Sequence, residues 1–122
     1  MSIKNRLVVS TSPRCASLEF GEPDGSKLTI WVRGMTGLER AEFVDIQGKL
    51  GDRVGGDHIR AVYPYLVKKL VFDDETNQPV FNDDDDDLVL TLAGETLELI
   101  AKTALELSGL GVKSEASEGN AS

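Results

Sequence analysis

The sequence predicts an α+β fold: a small, mainly helical single domain with an N-terminal β segment and a short β-hairpin near 65–81. Three observations carry that reading. Lys27 to Arg33 alternates, with Leu28, Ile30 and Val32 on one face and Lys27, Thr29, Trp31 and Arg33 on the other, as a half-buried strand does. Leu97, Ile100, Ala101, Ala104 and Leu107 or Ser108 recur at the i, i+3, i+4, i+7 spacing of a helix with one buried face. A chain of 122 residues, 40% hydrophobic, has the size of one domain with one core, expected over 1–112. Residues 113–122 turn to Lys, Ser, Glu, Gly, Asn and Ala, a composition expected of a flexible polar tail.

Each element has a local cause. Leu7 to Val9 and Cys15 to Phe20 are short apolar stretches expected as strand or extended arm. Glu22 to Ser26 is a turn cluster, in which Pro23 presets its backbone angle and Gly25 accepts a positive one, so its flanks can pair as a hairpin. Thr36, Gly37, Leu38 and Glu39 spell a capping box, in which Thr36 and Glu39 each satisfy a backbone N–H of the other. A helix is expected from there to about Lys49, burying Leu38, Phe43, Ile46 and Leu50, and ended by Gly51, Gly55 and Gly56. Ile59, Val62, Tyr63, Leu66, Val67 and Leu70 also have helical spacing, but Pro64 removes a backbone donor and biases Tyr63 toward an extended conformation. The expectation is a short helix to about Tyr63 and a strand from Tyr65 to Phe72, with a kinked helix as the alternative. Val80 and Phe81 would pair back across the turn 73–79. Asn82 or Asp83 can then cap a helix containing Leu88, Leu90 and Leu92, with Gly94 separating it from the last one. In that last helix Glu98 and Lys102 stand in the favourable order for an ion pair. Gly109 occupies the left-handed C′ position, and Leu110 and Leu105 fit a Schellman motif.

Charge is unevenly placed. The chain carries 21 acids against 13 bases, a net charge of −8. Eight of the acids (Asp73, Asp74, Glu75, Asp83, Asp84, Asp85, Asp86 and Asp87) fall in fifteen residues free of Lys and Arg, so the remaining 13 acids balance the bases. An acidic surface argues against nucleic acid as a partner, since phosphate neutralisation needs clustered cations. The apolar run behind Lys4 and Arg6 is too short for a secretory core or a membrane span, so a soluble intracellular protein is expected.

Catalytic and metal chemistry is excluded mostly by elimination. One His and one Cys, His58 and Cys15, cannot furnish a zinc site without several carboxylates. His58 reads as a lone polar loop residue, and neither a nucleophile elbow nor a phosphate loop occurs. Aligned as a calcium loop from Asp73, the acidic stretch has Gln78 where Gly is required and Asp84 where Glu is required. The acids are better read as helix-capping and solubilising groups, with a docking surface as the functional alternative. Trp31 is expected to be a strand residue covered by a neighbouring helix. No catalytic residue, cofactor or metal ligand is expected.

The stretch Leu70-Val71-Phe72-Asp73-Asp74-Glu75-Thr76-Asn77-Gln78-Pro79-Val80-Phe81-Asn82-Asp83-Asp84, the closing Thr103-Ala104-Leu105-Glu106-Leu107-Ser108-Gly109-Leu110, and the entry Met35-Thr36-Gly37-Leu38-Glu39-Arg40 together resemble the tail assembly chaperones of long-tailed, siphovirus-like bacteriophages. The resemblance covers most of 27–110. It departs at Gln78, where a turn Gly is expected, and in the length of the acidic run. It implies a non-enzymatic protein of the host cell cytoplasm, absent from the mature virion, that binds and solubilises the tape measure protein. It further implies recruitment of major tail tube subunits through a longer, frameshifted form, of which a chain ending at Ser122 would be the short version. Self-association is a separate expectation, since several copies along one client would gain from avidity where neighbours touch. Leu99 and Leu90 lie off the apolar stripes of their helices and, with Asp83, Asp84, Asp85, Asp86 and Asp87, are the candidate partner contacts, the competing expectation being that the N-terminal strands bury both leucines. The alternatives are an acidic decoy that mimics DNA or inhibits a nucleic-acid-binding protein and, behind it, a metal-dependent enzyme built on the same carboxylates.

Overall fold

A hairpin anchors the architecture. In the computed structural model, which describes residues 2–53 and 55–110, strands β1 (Cys15–Gly21) and β2 (Lys27–Arg33) pair antiparallel from Cys15↔Arg33 to Gly21↔Lys27. The turn between them is the expected one: Gly25 takes φ +92°, and the Asp24 carboxylate accepts both the N–H and the hydroxyl of Ser26. A short β3 (Val71–Asp73) completes a three-stranded sheet in the order β1-β2-β3, pairing antiparallel to β2. With five helices among the described residues, α1 (Ile3–Ser10), α2 (Gly37–Leu50), α3 (Gly56–Leu70), α4 (Asp86–Val89) and α5 (Gly94–Leu107), the fold is α+β and richer in helix than in strand.

The core lies between one face of the sheet and α2, α3 and α5. Ile30, Val32 and Val71 from the sheet meet Phe43, Leu50, Val62, Leu66, Leu70, Leu97, Ile100 and Ala104 from the helices. The alternation predicted for β2 holds, with Ile30 and Val32 buried and Trp31 on the opposite face. The helix entry holds as well: Glu39 N–H donates to Thr36 Oγ1 at 3.2 Å, and Thr36 N–H donates back to Glu39 Oε1 at 2.9 Å. At the far end of α5, Leu110 N–H donates to the Leu105 carbonyl and Gly109 N–H to that of Glu106, with Gly109 at φ +80°. Those are the two bonds of a Schellman motif. Gly34 lets that end approach the sheet, since a Cβ there would lie 2.6 Å from the Leu107 carbonyl oxygen.

Several expectations are corrected. Leu7 to Val9 are helical, in α1, so the N-terminal β segment begins only at Cys15. The expected strand from Tyr65 to Phe72 is instead the second half of α3, which runs through Pro64 to Leu70. The hairpin near 65–81 accordingly shrinks to Val71–Asp73, bridged from Phe72 to Pro79, with Val80 N–H on the Val71 carbonyl. The reason is burial. A proline inside a helix costs about 3 kcal/mol. The continuous helix buries Val62, Leu66, Val67 and Leu70 on one face, and each side chain contributes roughly 1.5–3 kcal/mol. Packing outweighs the local penalty. Leu38 is 72% exposed rather than buried, because the capping box turns it outward while Phe43 and Leu50 carry the buried face of α2. The helix after the acidic run is a single turn, and its anchor is Val89, with Leu90 and Leu92 half-buried and Leu88 exposed. Neither Asn82 nor Asp83 is its N-cap, which is Asp85. Glu98 and Lys102 form no ion pair; the pairs among the described residues are Lys27–Glu19, Arg33–Glu39, Arg60–Asp57 and Lys68–Asp86. Residues 111 and 112 and the expected tail 113–122 lie outside the described residues.

Candidate functional site

Cys15 and His58, the one cysteine and the one histidine of the chain, line separate hollows. Cys15 is exposed at the start of β1, beside Trp31, Arg33, Phe72 and Asn77 around a shallow hollow of about 430 Å³. His58 lies in the first turn of α3, not in a loop, and lines a groove of about 300 Å³ with Phe43, Val62, Glu98 and Leu105, where α2, α3 and α5 meet. A Cys–His pair is therefore not formed. Among the described residues no three His, Cys, Asp or Glu side chains are grouped to hold a metal ion, and no helix is long and apolar enough to cross a membrane.

The acidic stretch is divided into two parts with separate structural duties. Asp73 folds its carboxylate back onto its own turn, accepting from the N–H groups of Glu75 and Thr76 at 2.7 and 3.2 Å. Asp74 accepts from Trp31 Nε1. In the second part, Asp85 Oδ2 accepts from Asn82 N–H at 2.8 Å, Asp86 pairs with Lys68, and the Asp83 carbonyl accepts from Lys68 Nζ at 3.1 Å. Asp86 and Asp87 occupy the first turn of α4, where carboxylates face the positive end of the backbone dipole. Asp83, Asp84, Asp86 and Asp87 face solvent. Of the two leucines nominated as contacts, Leu99 is 42% exposed on the outer side of α5, whereas Leu90 packs half-buried against the core.

The outer face of the sheet offers a surface that sequence reasoning missed. Trp31 is not covered by a helix; it is 37% exposed and pairs in register with Phe72. The Arg33 guanidinium lies 5.2 Å from the centre of the Phe72 ring. Arg33 is itself locked by two 2.9 Å bonds to the Glu39 carboxylate and a 3.3 Å bond to the Lys69 carbonyl. Burial alone would raise the Glu39 carboxyl, but the Arg33 guanidinium and the Thr36 N–H outweigh it and hold the group below its ordinary value. Tyr65, between α2 and α3, is pushed the other way, first by burial and then by its 2.8 Å hydrogen bond to the Glu42 carboxylate. These groups are tied to one another, which makes them a structural brace. The signal for the exposed Trp31 was present in the alternation, which put it on the polar face of β2.

Comparison with known proteins adds one finding. No family profile matches this sequence, and no curated protein matches it. Among solved structures the chain is similar to the bacteriophage HK97 tail assembly chaperone, with a TM-score of 0.53 and 17% identity over 85% of this chain and 97% of that one. At that identity the likeness is one of architecture, and it spans nearly the whole of both chains: this protein has the fold of a phage tail assembly chaperone.

Proposed function

We propose that this protein is a tail assembly chaperone of a long-tailed phage, a non-enzymatic factor that binds the tape measure protein in the host cytoplasm and keeps it soluble while tail tube subunits polymerise around it. The observation that carries this reading is the shared fold with the HK97 chaperone along almost the entire length of both chains. The surface chemistry is consistent with it. A long helical client presents repeated apolar stripes that self-associate unless covered. Exposed apolar side chains, Leu99 and Leu88 among them, are available to cover such stripes. The solvent-facing Asp83, Asp84, Asp86 and Asp87 resist uncontrolled stacking of the resulting complexes. Several copies on one client would gain from avidity where neighbours touch. Tube subunits would be recruited by a longer form of the same chain made by frameshifting.

Co-expression with the tape measure encoded by the same phage tests the reading. The wild-type chain should move that client into the soluble fraction, and Leu99→Asp should lose this while keeping its circular dichroism and melting temperature. A client that precipitates equally with and without the chaperone overturns it.

A further inference from the structure

The two edges of the sheet are finished differently. Along β3 the segment that follows closes the edge: Asp73 N–H donates to the Gln78 carbonyl at 2.8 Å, Val80 N–H donates to the Val71 carbonyl at 3.2 Å, and Pro79 between them has no N–H to offer a further strand. The other edge is β1. Gly34 N–H on the Arg14 carbonyl and Glu22 N–H on the Ser26 carbonyl fix the phase of its ladder, so the pairs bonded to β2 within the strand are those of Ala16, Leu18 and Phe20. The N–H and C=O groups of Cys15, Ser17, Glu19 and Gly21 therefore point away from β2, and none of them is hydrogen-bonded among the described residues. They recur roughly every 6.8 Å, two residues at the rise of an antiparallel strand. Another extended backbone presents its own amides at the same repeat.

Nothing blunts this edge. Natural edge strands are protected by Lys, Pro, a bulge or a covering element. β1 contains neither Lys nor Pro, and its register runs from Cys15↔Arg33 to Gly21↔Lys27 without a bulge. Helix α1, which leads into it, is exposed throughout and so is not packed across it. On the inner face Leu18 and Phe20 are half-buried against the core, so apolar side chains of an added strand would extend that layer. Glu19 is the one charged side chain of β1; it is 59% exposed and lies 3.7 Å from Lys27. Two copies meeting along β1 would bring two Glu19 and two Glu22 carboxylates together in a chain of net charge −8, which favours a strand that carries cations.

We propose that the free edge of β1 docks an extended segment of another protein, one with apolar side chains at alternate positions and a Lys or Arg beside Glu19, which joins the sheet as a fourth strand. Main-chain hydrogen bonds then supply affinity, and the alternate side chains supply selectivity. The long helical client of the proposed function cannot make these bonds, because its backbone groups are spent within the helix. The partner is a different one, and the inference holds or fails apart from that reading.

Calorimetric titration of the full chain with a synthetic peptide tests it: seven residues alternating valine and threonine between two terminal lysines. Binding should be saturable, and the outward amides of Ser17 and Glu19 should gain protection from exchange as the peptide is added. Methylating the nitrogens of either residue type blocks one edge of the peptide, so at least one of the two singly blocked peptides should bind, whereas blocking both should weaken binding about tenfold or more. Glutamate in place of the terminal lysines should weaken it to a similar degree. Ser17→Pro removes an outward N–H that takes no part in the β1–β2 ladder, so that variant should keep its melting curve and lose the peptide. If it fails to fold, the peptide series decides alone. A wild-type chain that binds none of these peptides, a fully methylated peptide that binds as well as the others, equal binding of the lysine and glutamate forms, or a folded Ser17→Pro chain that binds as the wild type does would each overturn the proposal. So would protection of Ser17 and Glu19 without peptide: in a dilute sample it would mean that the chain covers its own edge, and if it rose with concentration, that a second copy does.

Discussion

Gly34 holds a position that no other residue fits. It leaves β2 with its N–H on the Arg14 carbonyl at 2.8 Å and its Cα facing the last turn of α5, where a methyl group would meet backbone at 2.6 and 2.9 Å. Backbone cannot step aside as a side chain can. Gly34→Ala should therefore destabilise the protein by about 1–3 kcal/mol, the usual cost of overpacking, measurable as a lower urea midpoint. Glu39 makes a second residue-scale case. Its carboxylate is the partner of Arg33 and of the Thr36 cap, and its acidity is greater than the ordinary value of 4.5 implies. A carboxyl whose folded pKa is depressed adds stability that is present above the unfolded pKa and lost as pH falls through the folded one. Glu39→Gln should accordingly be less stable than the wild type at neutral pH, and the gap between their urea midpoints should narrow once the pH drops below 4.5.

At the scale of elements, stability should be graded. Helices α3 and α5 bury Leu66, Leu70, Ile100 and Ala104 almost completely, whereas α1 buries nothing. Local opening exposes little surface in α1 and a great deal in α3. In the isolated chain at low concentration, amide exchange should be fast throughout Ile3–Ser10 and slowest in α3 and α5. Slow exchange across α1 in such a sample would contradict this order. The same contrast explains what the sequence disclosed. The bounds of β2, the Thr36–Glu39 box, the buried stripe of α5 and its Schellman end are set by residues within a few positions of one another, so they were legible. The passage of α3 through Pro64 was not, because its driving force is contact with strands and helices far away in the chain. Leu88, Leu90 and Leu92 misled for a related reason: which of four apolar neighbours faces inward depends on where the turn docks, and Val89 is the one that does. Leu99, for which the alternatives were a partner contact and burial under the N-terminal strands, is exposed; the exposure of Trp31 was signalled by its place on the polar face of β2, whereas the bare α1 needed the assembled fold to be seen.

For the whole molecule, the excess of acid tells a metal site from a solvated corner. A cation site needs several oxygens converging on one point. Here the carboxylates diverge, and many already have partners: Asp73 holds its own turn, Asp74 the Trp31 indole, Asp85 the Asn82 N–H and Asp86 the Lys68 ammonium. What remains is mutual repulsion in a chain of net charge −8, which any salt screens. Calorimetric titration with calcium, magnesium or manganese should give no saturable heat. The melting temperature should rise with ionic strength to the same extent whether the salt is sodium or magnesium chloride at matched strength. A saturable isotherm, or a stabilisation specific to the divalent ion, would show that Asp83 to Asp87 gather around a cation, and the reading of this corner as a solubilising surface would fall with it.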